Sequence, residues 1–110
     1  MKCLHIITPV KDSIDSTLET VKAIMESDIL VPFTYTVYND FSTEENTHRL
    51  EEAARQWNFR LVNLSDLTDH PSPNYLLVLQ TAQKEAIEAD AGLLIVESDV
   101  IVKKITLQSL

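Results

Sequence analysis

The stretch Gly92-Leu93-Leu94-Ile95-Val96-Glu97-Ser98-Asp99-Val100 sets four consecutive apolar residues directly before two carboxylates spaced one residue apart. A short unbroken run such as 93–96 reads as a strand buried on both faces of a parallel sheet. Glu97 and Asp99 then stand where that strand leaves the sheet. Residues two apart in extended backbone point the same way, so both carboxylates face one site while Ser98 faces the other side. Two hard oxygen ligands at a sheet rim suit Mg²⁺ or Mn²⁺, with water and ligand phosphates filling the octahedron. The plainer reading, equally consistent with the spacing, is that the two acids solubilise a strand end.

Upstream, the chain alternates between two hydrophobic periods. Residues 3–8, Cys-Leu-His-Ile-Ile-Thr, read as a first strand closed by Pro9, which has no amide hydrogen for a ladder. Ile14, Leu18, Val21 and Met25 recur at helical spacing behind Asp12 or Ser13 as the cap. Residues 33–38, Phe-Thr-Tyr-Thr-Val-Tyr, form a second strand of aromatic and β-branched residues that ends at Asn39 and Asp40. Ser42 with Glu45 three residues on has the pattern of a capping box, and opens a helix through Leu50, Ala53, Ala54 and Trp57. A third strand over 59–64 leads into a loop over 65–73 with Asp66, Asp69, His70 and two prolines, long enough to be a candidate for function. A third helix over 74–89 precedes the strand at 92–96.

Strand and helix in strict alternation predict an α/β fold, a Rossmann-like three-layer α/β/α half-domain around a mainly parallel four-stranded sheet. Ligands of such sheets sit beyond the carboxyl ends of the strands, where the strand order reverses. The polar residues of this chain gather at those ends: Thr8 to Asp12, Asn39 with Asp40, and Glu97 to Asp99.

Composition narrows the function. At 110 residues, 45% hydrophobic and 24% charged, the chain is sized for one globular domain. A net charge of -8 with nine scattered Lys and Arg argues against a nucleic-acid binder, which needs clustered cations to neutralise phosphates. A single glycine, Gly92, excludes a Walker loop and a dinucleotide fingerprint, each of which needs at least two. The lone Cys3 supports neither a disulfide framework nor a cysteine zinc site. No run approaches the roughly 20 apolar residues of a membrane span, and the start lacks the layout of a signal peptide, so a cytoplasmic location with no transmembrane segment is expected. Nothing in the sequence decides whether the chain forms a homo-oligomer.

Three segments together carry a resemblance: Ile6-Ile7-Thr8-Pro9-Val10-Lys11-Asp12, Val37-Tyr38-Asn39-Asp40-Phe41-Ser42-Thr43, and Val96-Glu97-Ser98-Asp99-Val100. In this order they resemble the amino-terminal half of a family 2 glycosyltransferase of the GT-A fold. The resemblance implies that Thr8, Pro9, Val10 and Lys11 form a wall of a nucleotide pocket. It implies that Asp40, the second acid of an Asp-Asp-Gly-Ser-like segment, contacts the base, with Ser98 nearby. It further implies that Glu97 and Asp99 match an Asp-X-Asp motif that binds the metal and the sugar diphosphate. Phe41 stands where that pattern has a small residue, and Asn39 and Glu97 each replace an Asp.

The implied partner is a nucleotide-sugar donor, with a UDP-sugar expected, and the implied cofactor is divalent Mn or Mg. The acceptor half and the catalytic base of such enzymes lie beyond the metal motif. The resemblance therefore predicts that residues 1–110 are a donor-binding fragment lacking the acceptor half, with the catalytic residues and acceptor unassigned. A flavodoxin-like nucleotide-binding or regulatory module is the alternative, since a flavin phosphate loop can be rich in Ser and Thr. His5, His48 and His70 are dispersed and make no zinc site, and Trp57 reads as packing.

Overall fold

The computed structural model describes residues 3–27 and 31–97. Four strands and three helices alternate along them: β1 Cys3–Val10, α1 Ile14–Met25, β2 Phe33–Asn39, α2 Glu44–Trp57, β3 Arg60–Asn63, α3 Tyr75–Glu88 and β4 Ala91–Ile95. A 3₁₀ turn, Leu64–Asp66, follows β3. All strand pairs are parallel, in the order β3-β2-β1-β4. Ile6 therefore lies between Tyr35 on one side and Leu94 on the other.

The two faces of β1 separate two cores, as the two-residue strand period requires. Leu4, Ile6 and Val10 face α1 and α2, packing with Val21, Ile24, Tyr35, Val37 and Leu50. Ile7 faces α3, packing with Tyr38, Leu64, Val78 and Ala82. The result is the expected three-layer arrangement, with two helices on one face and one on the other.

Local details differ from the sequence expectation. β1 runs on through Pro9 to Val10, and β3 and β4 are shifted by one residue at their starts. β4 lies at the edge of the sheet and is half-buried among the described residues, instead of buried on both faces. Thr17 and Thr20 occupy buried positions on α1, where each hydroxyl donates to a carbonyl one turn back, at Ser13 and Ser16. The capping box is displaced: α2 is capped by Thr43, whose hydroxyl accepts from the Asn46 amide. Ser42 instead accepts from the backbone amide of Asp12.

Four residues other than glycine have positive φ: Asp12, Phe41, Asn58 and Asp90. Asp and Asn tolerate the left-handed region because their short polar side chains bond locally. Phe41, at φ 62°, has no such compensation. Its ring packs against the Ile7 and Tyr38 core, which opposes the backbone strain.

Candidate functional site

The strand order reverses between β1 and β4, because β2 and β3 lie on one side of β1 and β4 on the other. Chains leaving the carboxyl ends of β1 and β4 must therefore diverge, and a crevice opens between them. A cavity of about 200 Å³ occurs at this point. Pro9, Val10 and Lys11 line it from β1, Asp40 from the end of β2, and Glu97 from beyond β4. Pro73, Tyr75 and Val78 close it from the start of α3.

Five residues singled out in the sequence thus meet in one place, from three separate segments. Thr8 does not join them. Its side chain is fully buried, and its hydroxyl accepts from Tyr35 Oη at 2.7 Å. Ser98 and Asp99, the remaining nucleotide and metal candidates, lie outside the described residues.

Lys11 is tethered. Its Nζ donates to the carbonyl of Phe41 at 3.0 Å and lies 3.7 Å from Asp12 Oδ2. Asp12 in turn accepts from the Thr43 amide at 2.6 Å and from Asn46 Nδ2 at 3.1 Å. The Thr43 bond, followed by the Asn46 bond, holds the Asp12 carboxyl below its ordinary range. Through these contacts the loops after β1 and β2 are stitched together beside the cavity.

Asp40 is almost wholly buried, at 8% exposure, and its carboxylate is occupied. Oδ2 accepts from Ser72 Oγ and from the Asn74 amide, both at 2.9 Å, and Oδ1 accepts from Asn74 Nδ2 at 2.9 Å. Glu97 is exposed at the rim. Among the described residues no group of three His, Cys, Asp or Glu could hold a metal ion. Glu97 is the exposed carboxylate at the cavity, whereas the oxygens of Asp40 accept three hydrogen bonds.

Pro73, Tyr75 and Val78 were not legible as site residues. Tyr75 begins the periodic pattern of α3 and looks like core, yet it is 46% exposed at the cavity mouth. An aromatic at the first residue of a helix that follows a long loop was the one available signal.

A second hollow, of about 580 Å³, lies at the opposite, amino ends of the strands. His5, Thr34, Arg60 and Glu85 line part of it, and among the described residues His5 Nε2 is buried there without a hydrogen bond, 3.5 Å from Glu85 Oε1. Arg60 Nη1 lies 2.7 Å from Glu85 Oε2, Tyr38 Oη donates to Glu85 Oε1 at 3.2 Å, and His5 Nδ1 lies 2.8 Å from Thr34 Oγ1. Its larger size does not outweigh its position, away from the strand ends where the acidic candidates gather.

No protein-family model matches the sequence, and no curated protein does either. Solved structures do. S. aureus TarS 1-349 superimposes with a TM-score of 0.58 at 21% identity, covering 90% of this chain and 28% of that one. TarS 1-349 in complex with UDP-GlcNAc gives a TM-score of 0.57 at 23% identity, covering 90% of this chain and 27% of that one. The complex with UDP gives a TM-score of 0.56 at 22% identity, covering 90% and 28%. This chain spans little more than a quarter of the length of those three structures. TarS is a family 2 glycosyltransferase, the family that the sequence resembles. At these identities the likeness establishes the fold: over 90% of its length the chain is a Rossmann-like α/β/α unit of the kind found in S. aureus TarS.

Proposed function

We propose that this chain is the donor-binding half of a glycosyltransferase, holding a nucleotide sugar, most simply a UDP-sugar, at the carboxyl ends of β1, β2 and β4. The observation that carries the reading is the convergence of Pro9, Val10, Lys11, Asp40 and Glu97 on one cavity at the reversal of strand order. The UDP-GlcNAc and UDP complexes of TarS, a protein of the same fold, support the choice of ligand.

Size sets how much of the ligand is enclosed. At about 200 Å³ the cavity falls below the roughly 300–1,000 Å³ of pockets that enclose a drug-sized ligand. It has room for one ring, with the diphosphate running along the open rim past Glu97. Tyr75 and Pro9 are among the residues that line the cavity.

In a chain of net charge -8 a bound diphosphate needs positive charge from elsewhere. Glu97, with Asp99 as the second ligand, would hold a divalent Mn or Mg ion. Such an ion neutralises charge on the diphosphate leaving group.

Isothermal calorimetry of UDP with Mn²⁺ tests the reading on the wild type, Glu97→Ala and Asp99→Ala. Binding by the wild type, weakened in both variants and by chelation of the metal, is expected. Absence of binding by the wild type, or equal affinity in all three proteins, overturns it.

A further inference from the structure

We infer that the hollow of about 580 Å³ at the amino ends of the strands is a second binding site, built for a neutral, hydroxyl-rich ligand of the sugar or polyol class. The inference goes beyond the donor reading and does not rest on it. Five residue steps along β1, at roughly 3.3 Å each, separate His5 in this hollow from Val10 at the other cavity.

The floor is the face of the sheet that meets α3. Residues two apart on a strand share a face, so His5 continues the face of Ile7, and Thr34 and Thr36 that of Tyr38. In the register of the sheet His5 lies beside Thr34, and Thr36 beside Arg60. A sheet face that packs against a helix is apolar, whereas this row reads His, Thr, Thr and Arg. Glu85, in the last turn of α3, lines the hollow from the helix, and Met25 and Phe33 add an apolar margin. The volume falls within the roughly 300–1,000 Å³ of small-molecule sites, which combine an apolar lining with a few placed polar groups.

His5 is the residue that asks for a ligand. It is 6% exposed, and among the described residues its Nε2 is buried without a hydrogen bond. Glu85 Oε1 lies 3.5 Å away, beyond the roughly 2.7–3.2 Å of an N–H···O bond. Nδ1 is taken, 2.8 Å from Thr34 Oγ1. Burial keeps the ring neutral, so one nitrogen is a donor and the other an acceptor, and the Thr34 hydroxyl suits either tautomer. A ligand hydroxyl answers Nε2 in both cases. It donates to a bare Nε2, or it accepts from Nε2–H while donating to Glu85 Oε1. An ammonium serves only the first case and a carboxylate only the second.

Charge selects against ions as well. Arg60 Nη1 lies 2.7 Å from Glu85 Oε2, so each of these charges already has its counter-charge. Arg60 carries five N–H groups, more than that contact uses, which leaves donors for ligand oxygens. Glu85 Oε1 also accepts from Tyr38 Oη at 3.2 Å, which holds the carboxylate against the sheet. Acceptors, donors and hydroxyls thus stand side by side, the mixture that adjacent ligand hydroxyls require.

The test is amide NMR of the isotope-labelled chain, as wild type, His5→Phe and Arg60→Met. Each is titrated with glucose, sorbitol and maltotetraose, with acetate and methylammonium as ionic controls. Saturable shifts at the amides around His5, Thr34, Thr36 and Arg60, caused by the hydroxyl compounds and not by the two ions, are expected. His5→Phe and Arg60→Met should each weaken this binding about tenfold, the scale of one hydrogen bond. Arg60, with its side chain 54% exposed, keeps the test open if His5→Phe does not fold. Maltotetraose bound more tightly than glucose identifies a sugar borne on a chain, and equal binding a free one; either upholds the site.

Absence of shifts there with all the hydroxyl compounds overturns the inference. So does wild-type binding in both variants, or a preference for acetate or methylammonium. UDP and Mn²⁺ enter none of these titrations, so failure of this site leaves the donor reading standing, and failure of the donor reading leaves this site.

Discussion

Asn39 and Asp40 are consecutive at the end of β2, and their side chains are bound on opposite sides of the sheet. Asn39 Nδ2 donates to Thr47 Oγ1 on α2 and to Asn63 Oδ1 on β3, both at 2.9 Å, while Asp40 accepts from Ser72 and Asn74 at the entry to α3. The two-residue strand period makes this divergence unavoidable. A pair that reads in sequence as one polar cluster is therefore two separate clamps, one for each helical layer.

Asn39 is 3% exposed, and its Oδ1 also accepts from the Ser42 amide. Asn39→Ala leaves these buried partners without it and should cost about 1–3 kcal/mol. A lower urea midpoint with an unchanged slope is the expected result.

Phe41 lets backbone strain and packing be separated. Phe41→Ala and Phe41→Gly remove the same ring from the α3 core, but alanine keeps the Cβ that disfavours φ 62°. Phe41→Gly should therefore be more stable than Phe41→Ala by about 1 kcal/mol, with both less stable than the wild type. Equal unfolding free energies for the two variants would show that the strain is not there.

Glu85 is shared between an exposed partner and a buried one. Its ion pair with Arg60 is partly solvated, so Arg60→Ala should cost no more than about 1 kcal/mol. Glu85→Ala also strips the acceptor from Tyr38 Oη and should cost about 1–3 kcal/mol, whereas Glu85→Gln keeps an acceptor there and should fall between. Burial, with Glu85 next, pushes the Tyr38 phenol up to about 12. Burial raises the Tyr35 phenol as well, so alkaline titration of tyrosine absorbance should show two late phenols, of which that of Tyr38 titrates earlier in Glu85→Gln.

The stability of the chain should fall in mild acid because of His5. Burial depresses the imidazole below its ordinary 6.5, outweighing the attraction of Glu85, so the folded state holds the ring neutral. The unfolded chain then binds the proton more readily, and stability, full above pH 6.5, declines as pH falls through the lower folded value. The Glu85 carboxyl is opposed by burial but held below its ordinary 4.5 by Arg60, then Tyr38 and His5, so its share is lost only below that pH. Urea midpoints measured from pH 7.5 to pH 5 should decline in the wild type and flatten in His5→Gln.

The order of strands and helices was readable from the chain alone. Unbroken apolar runs and helical spacing are local properties, and alternation of the two leaves a parallel sheet as the economical way to bury both. The single glycine likewise ruled out a Walker loop and a dinucleotide fingerprint without any coordinates, and the net charge argued against a nucleic-acid site. Lys11, Asp40 and Glu97 could be nominated because strand ends are where such folds keep their polar residues, and Pro9 and Val10 because their segment resembles that of a family 2 glycosyltransferase.

What each nominated residue does was decided by tertiary structure. Thr8 is fully buried, bonded to Tyr35 one layer below the strand ends, and does not line the cavity. Asp40 accepts three hydrogen bonds from residues more than 30 positions away in the chain, Tyr75 is exposed where its helical phase suggested burial, and Ser42 serves Asp12 in place of its own helix. Hydrogen bonds between segments distant in sequence depend on where the sheet brings those segments, and no local pattern encodes that meeting.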